Sequence, residues 1–528
     1  MPKILSINQF LACACLVCGF ASPVFGQSQF GHMHNWSQEN SLDTDTLTPS
    51  IVWEVEIGEG RSQVVGDDER VFVATGSSKK TEAGQASISQ TVYCLDAKTG
   101  EEVWQHVSRG VMDESQETFG GAQATPQASP ALVGNSLIQL SFSGSLVCLD
   151  QKTGELKWEL DAVKELNAEH VQFGFSSSPV FDPNDPSRLY VLAGGKTGGL
   201  YCLKTETGEV NWKSSCKTNS YATPVFAKFQ GVNQICIVNE NDVRGISQED
   251  GNLLWKYELP EKGMTNVPTP IVLDQSRLAM SGQGCKGSRC LEIQFDSSEN
   301  KWTADEIWFN RRIQYFYTNW FRQNQNTILG CTDKYLAAIN SGNGETLGRW
   351  RGFGDGNVFA VGERLFISTK KGNLEVLNME KDKLVHTSTY EILKARCWTP
   401  PTLIKANLYM RGDRQLVCVD LNGSKKQIRS SLAKVKALEF TKTAAQPKFD
   451  SVQLIFDTFE SKGQQAALKL YTKLRKSTPT QLSVEQRIEL VNSANQQGLS
   501  DLAKMIVAHG LEDFPSSKKL KAIARKQR

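Results

Sequence analysis

The stretch Cys148-Leu-Asp-Gln-Lys-Thr-Gly-Glu-Leu-Lys-Trp158 constrains what this chain can fold into more than any other. Val147 to Asp150 alternate as a strand, Lys152-Thr-Gly154 reverse the chain, and Glu155 to Trp158 run back. Asp and Thr side chains bond turn amides, and glycine supplies the positive φ of a tight reversal. Trp158 then sets a large flat surface on the returning strand, where it fills a gap against a neighbouring sheet. The string recurs at residues 94–104 and 202–212 and, altered, at 246–255. It weakens further along, with Gly348 and then His386 where the tryptophan belongs. Equivalent positions fall at Asp96, Asp150, Lys204, Ser247, Glu292, Asn340, Asn378 and Asp420. A sheet-forming unit repeating every roughly 40–50 residues is the signature of a β-propeller. The fold class is therefore all-β, an eight-bladed propeller, or seven-bladed if the Glu292 unit is spurious.

Two further features support a closed ring. Ile51-Val-Trp53-Glu-Val-Glu-Ile57 matches a returning tryptophan strand with no strands of its own before it, whereas the repeat at Asp420 lacks such a strand. The first strand is expected to complete the last blade, removing edges that invite aggregation. Small-polar-Pro steps precede the opening strands at Ser129-Pro130, Ser178-Pro179, Thr223-Pro224, Thr269-Pro270 and Thr399-Pro400. Proline is tolerated at a strand's first residue, so the residues just before these steps should rim the central funnel.

The Asp-x-x-Thr-Gly-x-x-x-Trp pattern resembles the tryptophan-docking repeat of the pyrroloquinoline-quinone (PQQ) propeller superfamily, over roughly residues 50–425. Trp53, Trp104, Trp158, Trp212 and Trp255 stand at its docking positions. That superfamily holds quinoprotein dehydrogenases and non-enzymatic relatives such as the outer-membrane assembly scaffold of the BamB type. The resemblance implies a quinone lid made by adjacent cysteines, with Ca²⁺ on the quinone, for the dehydrogenases. This chain has no Cys-Cys pair, and its single Cys-x-x-Cys, Cys15 to Cys18, has no following His to carry a haem. It is thus closer to the BamB-like propellers than to intact dehydrogenases, with no catalytic, cofactor-binding or metal residue assigned.

Residues 1–26 read as a cleavable export signal, with Lys3 ahead of a short apolar run and cleavage near Gly26. A lipoprotein reading at Cys13 or Cys15 is the weaker one, since both lie behind too short an apolar run. Residues 27–48 form a polar leader containing His32 and His34, and residues 49–430 hold the propeller. From 445 to 528 apolar residues recur at helical spacing, predicting an α-helical hairpin extension. It ends in a basic segment from Lys518, read as a solvated tail able to touch an anionic surface. No stretch is long enough to span a bilayer, so a periplasmic or secreted monomer is expected.

Lys plus Arg number 59 against 57 Asp plus Glu, which excludes a strongly basic protein coating nucleic acid. Cys94, Cys148, Cys202, Cys290 and Cys418 share one repeat position in successive sheets, too far apart to bridge. They read as small buried side chains; Cys285 with Cys290 is a candidate disulfide across a hairpin. No Gly-x-x-x-x-Gly-Lys, Gly-x-Ser-x-Gly or His-Glu-x-x-His motif occurs, and six histidines in the whole chain argue against a His-rich metal site.

One segment stands apart. Residues 308–322 concentrate aromatics and arginines ahead of an opening strand, the composition of interface hot spots and glycan platforms. Blade packing competes with a binding surface there. The candidate funnel-mouth residues are Tyr221, Asn266, Arg311, Arg312, Tyr317, Asn319, Trp320, Asn357 and Trp398. The function expected is a protein-binding scaffold in the cell envelope without chemistry of its own. The alternatives are a PQQ- and calcium-dependent oxidoreductase with a degenerate site, or a carbohydrate-binding propeller.

Overall fold

The structure, a computed structural model, describes residues 47–423 except 81–84, 114–124, 171–172, 183, 195–198, 216–220, 362 and 381–382. It also describes parts of 430–526, chiefly 500–513 and 517–526. The export signal, most of the polar leader and most of the predicted helical extension lie outside the described residues.

Leu146 to Leu149, in the Ser145–Asp150 strand, are buried on both faces, as a short apolar run inside a layered β-structure should be. This strand pairs antiparallel with Ser136–Leu140 on one side and Leu156–Asp161 on the other, and Ala131–Val133 completes a four-stranded blade. The same order repeats over residues 65–113, 131–161, 180–215, 225–258, 271–310, 320–351 and 357–391, blades 1 to 7. Blade 8 takes three strands from 402–420 and its outermost from Ser50–Glu56, which pairs from Ser50 against Asp420 to Glu56 against Gln415 with a register shift between Ile51 and Trp53. The chain is an eight-bladed propeller.

Its core lies between blades, not within them. Ile138 and Cys148 of blade 2 pack with Leu189 and Tyr201 of blade 3. Across the closing seam, Trp53, Tyr409 and Cys418 pack with Val71 and Leu95. The nine described cysteines are free and buried. Cys285 and Cys290 are not bridged, because they face opposite sides of blade 5: Cys285 joins the seam with blade 4 and Cys290 the seam with blade 6.

The repeat's tryptophan and glycine belong to one joint. Trp104 donates its indole N–H to the Gln151 carbonyl of the next blade at 3.1 Å and lies on Gly154 in that blade's turn. Trp53 bonds Ala97 and lies on Gly100, and Trp158 bonds Thr205 and lies on Gly208. Trp212 lies on Gly251. The aspartate works within the turn: Asp96 accepts from the amides of Lys98 and Thr99 at 2.8 and 2.9 Å.

Blade 5 departs from the expected pattern. Its outer hairpin runs through Gly287–Asp296 and Lys301–Asn310, longer than its counterparts, and this register sets Trp308 opposite Cys290. Trp308, not assigned from sequence, is therefore the docking residue of that blade; it bonds the Ser341 carbonyl at 3.1 Å and lies on Gly344. Trp255 does not dock forward. It covers Gly245 of its own blade and donates to Gln234 Oε1 at 2.7 Å, because glycine stands where other blades carry cysteine. In blade 7 the docking register belongs to Ser388, opposite Val376, while His386 pairs with Leu377.

Two short strands, Ser430–Leu432 and Ala437–Glu439, pair with Lys383–Glu391 at the outer edge of blade 7. Ser500–Asp513 and Lys518–Lys526 are helices. The basic segment is thus no solvated tail. Leu520 is buried against Ile488 and Leu511, and Lys519 Nζ reaches Glu292 of blade 5 at 2.9 Å. Among the described residues no helix is long and apolar enough to cross a membrane.

Candidate functional site

The segments entering the eight innermost strands converge on the axis. They line a cavity of about 400 Å³ whose walls alternate residue by residue, as Gln127 and Ser129, Ser176 and Ser178, or Tyr221 and Thr223 do. The hydroxyls of the small-polar-Pro steps have a second task. The Gln63 amide donates to Ser129 Oγ at 2.9 Å, the Ser129 amide to Ser178 Oγ at 2.9 Å, and the Ser178 amide to Thr223 Oγ1 at 3.4 Å. The entries of blades 1 to 4 are so tied one to the next, and the following proline needs no partner because it has no N–H.

Tyr221, Tyr317, Asn319, Asn357 and Trp398 all line this cavity. Tyr221 packs edge-on against Phe173, with centroids 5.6 Å apart, and burial pushes its hydroxyl up to about 12. Tyr317 remains 55% exposed with Phe316 against it. Asn357 donates to the Trp398 carbonyl at 3.2 Å and so holds that entry loop.

Four candidates lie elsewhere. Trp320 is 1% exposed, donates to the Thr269 carbonyl at 2.8 Å and packs on Tyr315, so it belongs to the core of the blade 5–blade 6 seam. Asn266 is buried, donating to the Asn239 carbonyl and accepting from the Gly284 amide. Arg311 and Arg312 are exposed but do not line the cavity. The aromatic segment therefore divides: Trp308, Tyr315 and Trp320 pack blades, and Tyr317 faces outward.

Sequence reasoning missed the cations at the mouth. Arg61 Cζ lies 5.5 Å from the Trp398 ring centroid, Arg396 Cζ 5.7 Å and Lys370 Nζ 4.3 Å. Lys370 also pairs with Asp355 at 2.9 Å. Arg61 keeps much of its surface in solvent, but partial desolvation of its guanidinium lowers its pKa, the charge of Asp413 raises it, and the like charge of Arg396 lowers it further. Arg61 stands just before the first blade and Arg396 before the last, so only ring closure brings them together.

A quinone cofactor with calcium would need carboxylate oxygens for the ion and a carboxylate base. No aspartate or glutamate is among the residues lining this cavity, and no cluster of His, Cys, Asp and Glu suited to a metal occurs among the described residues. The described walls thus supply neither the ion's oxygen ligands nor the base.

A family model described as "Outer membrane protein assembly factor BamB" matches residues 88–174 and 167–305. The protein of that name from Burkholderia pseudomallei is 30% identical over 31% of this chain, and the match spans 45% of its own length. The Yersinia pestis protein of that name is 21% identical over 63% of this chain and 78% of its own. The crystal structure of BamB from Moraxella catarrhalis aligns with 71% of this chain and 100% of its own, at 15% identity and a TM-score of 0.47. With its repeat, its eight closed blades and these sequence matches, the chain is a PQQ-like β-propeller closer to the BamB type than to intact quinoprotein dehydrogenases.

Proposed function

We propose that this propeller is an exported scaffold, working outside the cytoplasm, that binds a protein partner at the mouth of its axial funnel. The observation that carries this reading is the make-up of the cavity wall. Its described residues, drawn from all eight blades, offer hydroxyls, amides, aromatic faces and the Arg61 guanidinium, groups that recognise a surface, and among them no carboxylate to move a proton. The likeness to proteins named as outer membrane assembly factors supports the same reading. Exposed Tyr317, with half-buried Phe316 against it, supplies the large, rigid contact area typical of hot spots.

Site-specific photo-cross-linking in the native envelope tests it. A Tyr317→p-benzoylphenylalanine chain should yield a discrete protein adduct, and a Lys152→p-benzoylphenylalanine chain, labelled in an outer turn at the opposite ends of the strands, should not. Adducts of equal yield from both positions would overturn the reading. So would retention of quinone absorbance after incubation with PQQ and Ca²⁺, together with dye reduction by alcohols or sugars.

A further inference from the structure

The closing seam places two guanidinium groups on one indole. Arg61 and Arg396 both lie within 6 Å of the Trp398 ring centroid, and their like charges oppose each other. A ring quadrupole attracts each cation but neutralises neither. Asp413, whose charge reaches Arg61, forms no ion pair with it. Two further carboxylates, Asp355 and Glu59, are engaged by Lys370 and Arg414. Among the described residues the two arginines therefore make no ion pair of their own; Arg61 lines the cavity together with Trp398 and Tyr317, and Arg396 reaches it through its contact with the Trp398 ring.

The arrangement is held in place and is not a chance meeting of long side chains. Thr399 Oγ1 donates to the Arg61 carbonyl at 3.1 Å, Gln63 Nε2 to the Pro401 carbonyl at 3.3 Å, and Thr402 Oγ1 to the Val64 carbonyl at 2.6 Å. The Arg61 and Trp398 backbones are thus fixed relative to each other.

We propose that Arg61 and Arg396, on the face of Trp398, receive a carboxylate of an acidic, extended segment of a protein partner. The planar fork of arginine matches a carboxylate in two-point contact, and a bound anion relieves the repulsion between the two cations. A cavity of about 400 Å³ admits side chains and not a folded domain, which selects an extended strand carrying acidic and aromatic residues. The neighbouring Tyr317 and Phe316 offer it aromatic contact. This inference rests on the scaffold reading and deepens it.

The test is calorimetric titration of the full chain with an end-blocked peptide of alternating Glu and Tyr, against its Gln–Tyr counterpart. The acidic peptide should bind, with affinity falling as salt rises from about 50 to about 500 mM, and the Gln–Tyr peptide should bind at least about tenfold more weakly. Arg61→Gln and Arg396→Gln should each weaken the acidic peptide about tenfold, while Lys152→Gln should not. Both arginines are exposed, and unchanged melting of the variants excludes a folding defect. Equal binding of the two peptides, or parental affinity in both arginine variants, would overturn the proposal. Binding of polygalacturonate at these arginines with the acidic peptide silent would also overturn it, assigning the site to an anionic polysaccharide. The Tyr317 cross-link separates this inference from its premise: an adduct that persists in the Arg61→Gln/Arg396→Gln chain leaves the scaffold standing and sinks the carboxylate site.

Discussion

Trp104 rests on Gly154 so closely that a Cβ at that position would fall 2.6 Å from the indole. The glycine of one blade is thus selected by the tryptophan of the blade before it, as well as by its own φ of 75°. Gly154→Ala should cost about 2–4 kcal/mol, from left-handed backbone strain plus overpacking. Gly134, also at positive φ, has open space where its Cβ would stand, so Gly134→Ala should cost only about 1–2 kcal/mol. Paired thermal melts check the difference; equal losses would remove the inter-blade role of Gly154.

Ring closure depends on one buried side chain of the first strand. Trp53 fills the seam between blades 8 and 1 and donates to the Ala97 carbonyl at 3.0 Å. Trp53→Ala should cost about 3–5 kcal/mol. Protease cleavage on either side of the seam should appear before cleavage in blades 3 and 4, as read by mass spectrometry of early fragments.

Arg411 is buried in the same seam. Its Nη1 donates to the Ser62 carbonyl and hydroxyl at 2.9 and 2.7 Å, while Nε and Nη2 have no hydrogen-bond partner. Burial lowers its pKa to about 9, against the raising charge of Asp413. A buried cation so poorly compensated is often replaceable by an apolar side chain at no loss. Arg411→Met should therefore leave the unfolding free energy unchanged or raise it by about 1–3 kcal/mol, and Ser62→Ala should lower it by about 1–3 kcal/mol, as denaturant titrations read.

Acid should loosen the turns. The amides of Thr99 and Lys98 hold the Asp96 pKa below its ordinary 3.8. A depressed folded-state value stabilises the fold above the unfolded value and is lost as pH falls through the folded one. Melting temperature should accordingly decline below about pH 4, and Asp96→Asn should show a shallower decline than the parent chain.

Lys519 ties the last helix to Glu292, with both groups mostly shielded. Glu292→Lys places like charges together and should raise amide exchange across residues 518–526, leaving the blade 1 strands unchanged. An unaltered exchange pattern would show that Leu520 packing alone holds the helix.

The ring and its seams were readable because their causes are local: a turn that needs Asp, Thr and Gly, and a strand that needs its tryptophan. Trp308 was hidden because the blade 5 hairpin is extended, so the tryptophan lost its usual spacing from the turn. Trp255 looked like its neighbours, yet Gly245 opposite it decides where its ring goes. Trp320 and Tyr317 stand three residues apart in one aromatic run, and only tertiary packing buries the first and exposes the second. The mouth cations could not be read at all, since Arg61 and Arg396 become neighbours only across the closed seam.

That the outermost strand of blade 8 is the first to be made has a consequence in time. During synthesis Ser50–Glu56 must wait, unpaired, until the chain has been extended through Asp420. Seven blades can stack as they emerge, but two open sheet edges persist until that moment. The assembling chain is therefore most exposed to wrong partners just before completion, and any factor that guards its maturation has to act on the waiting strand.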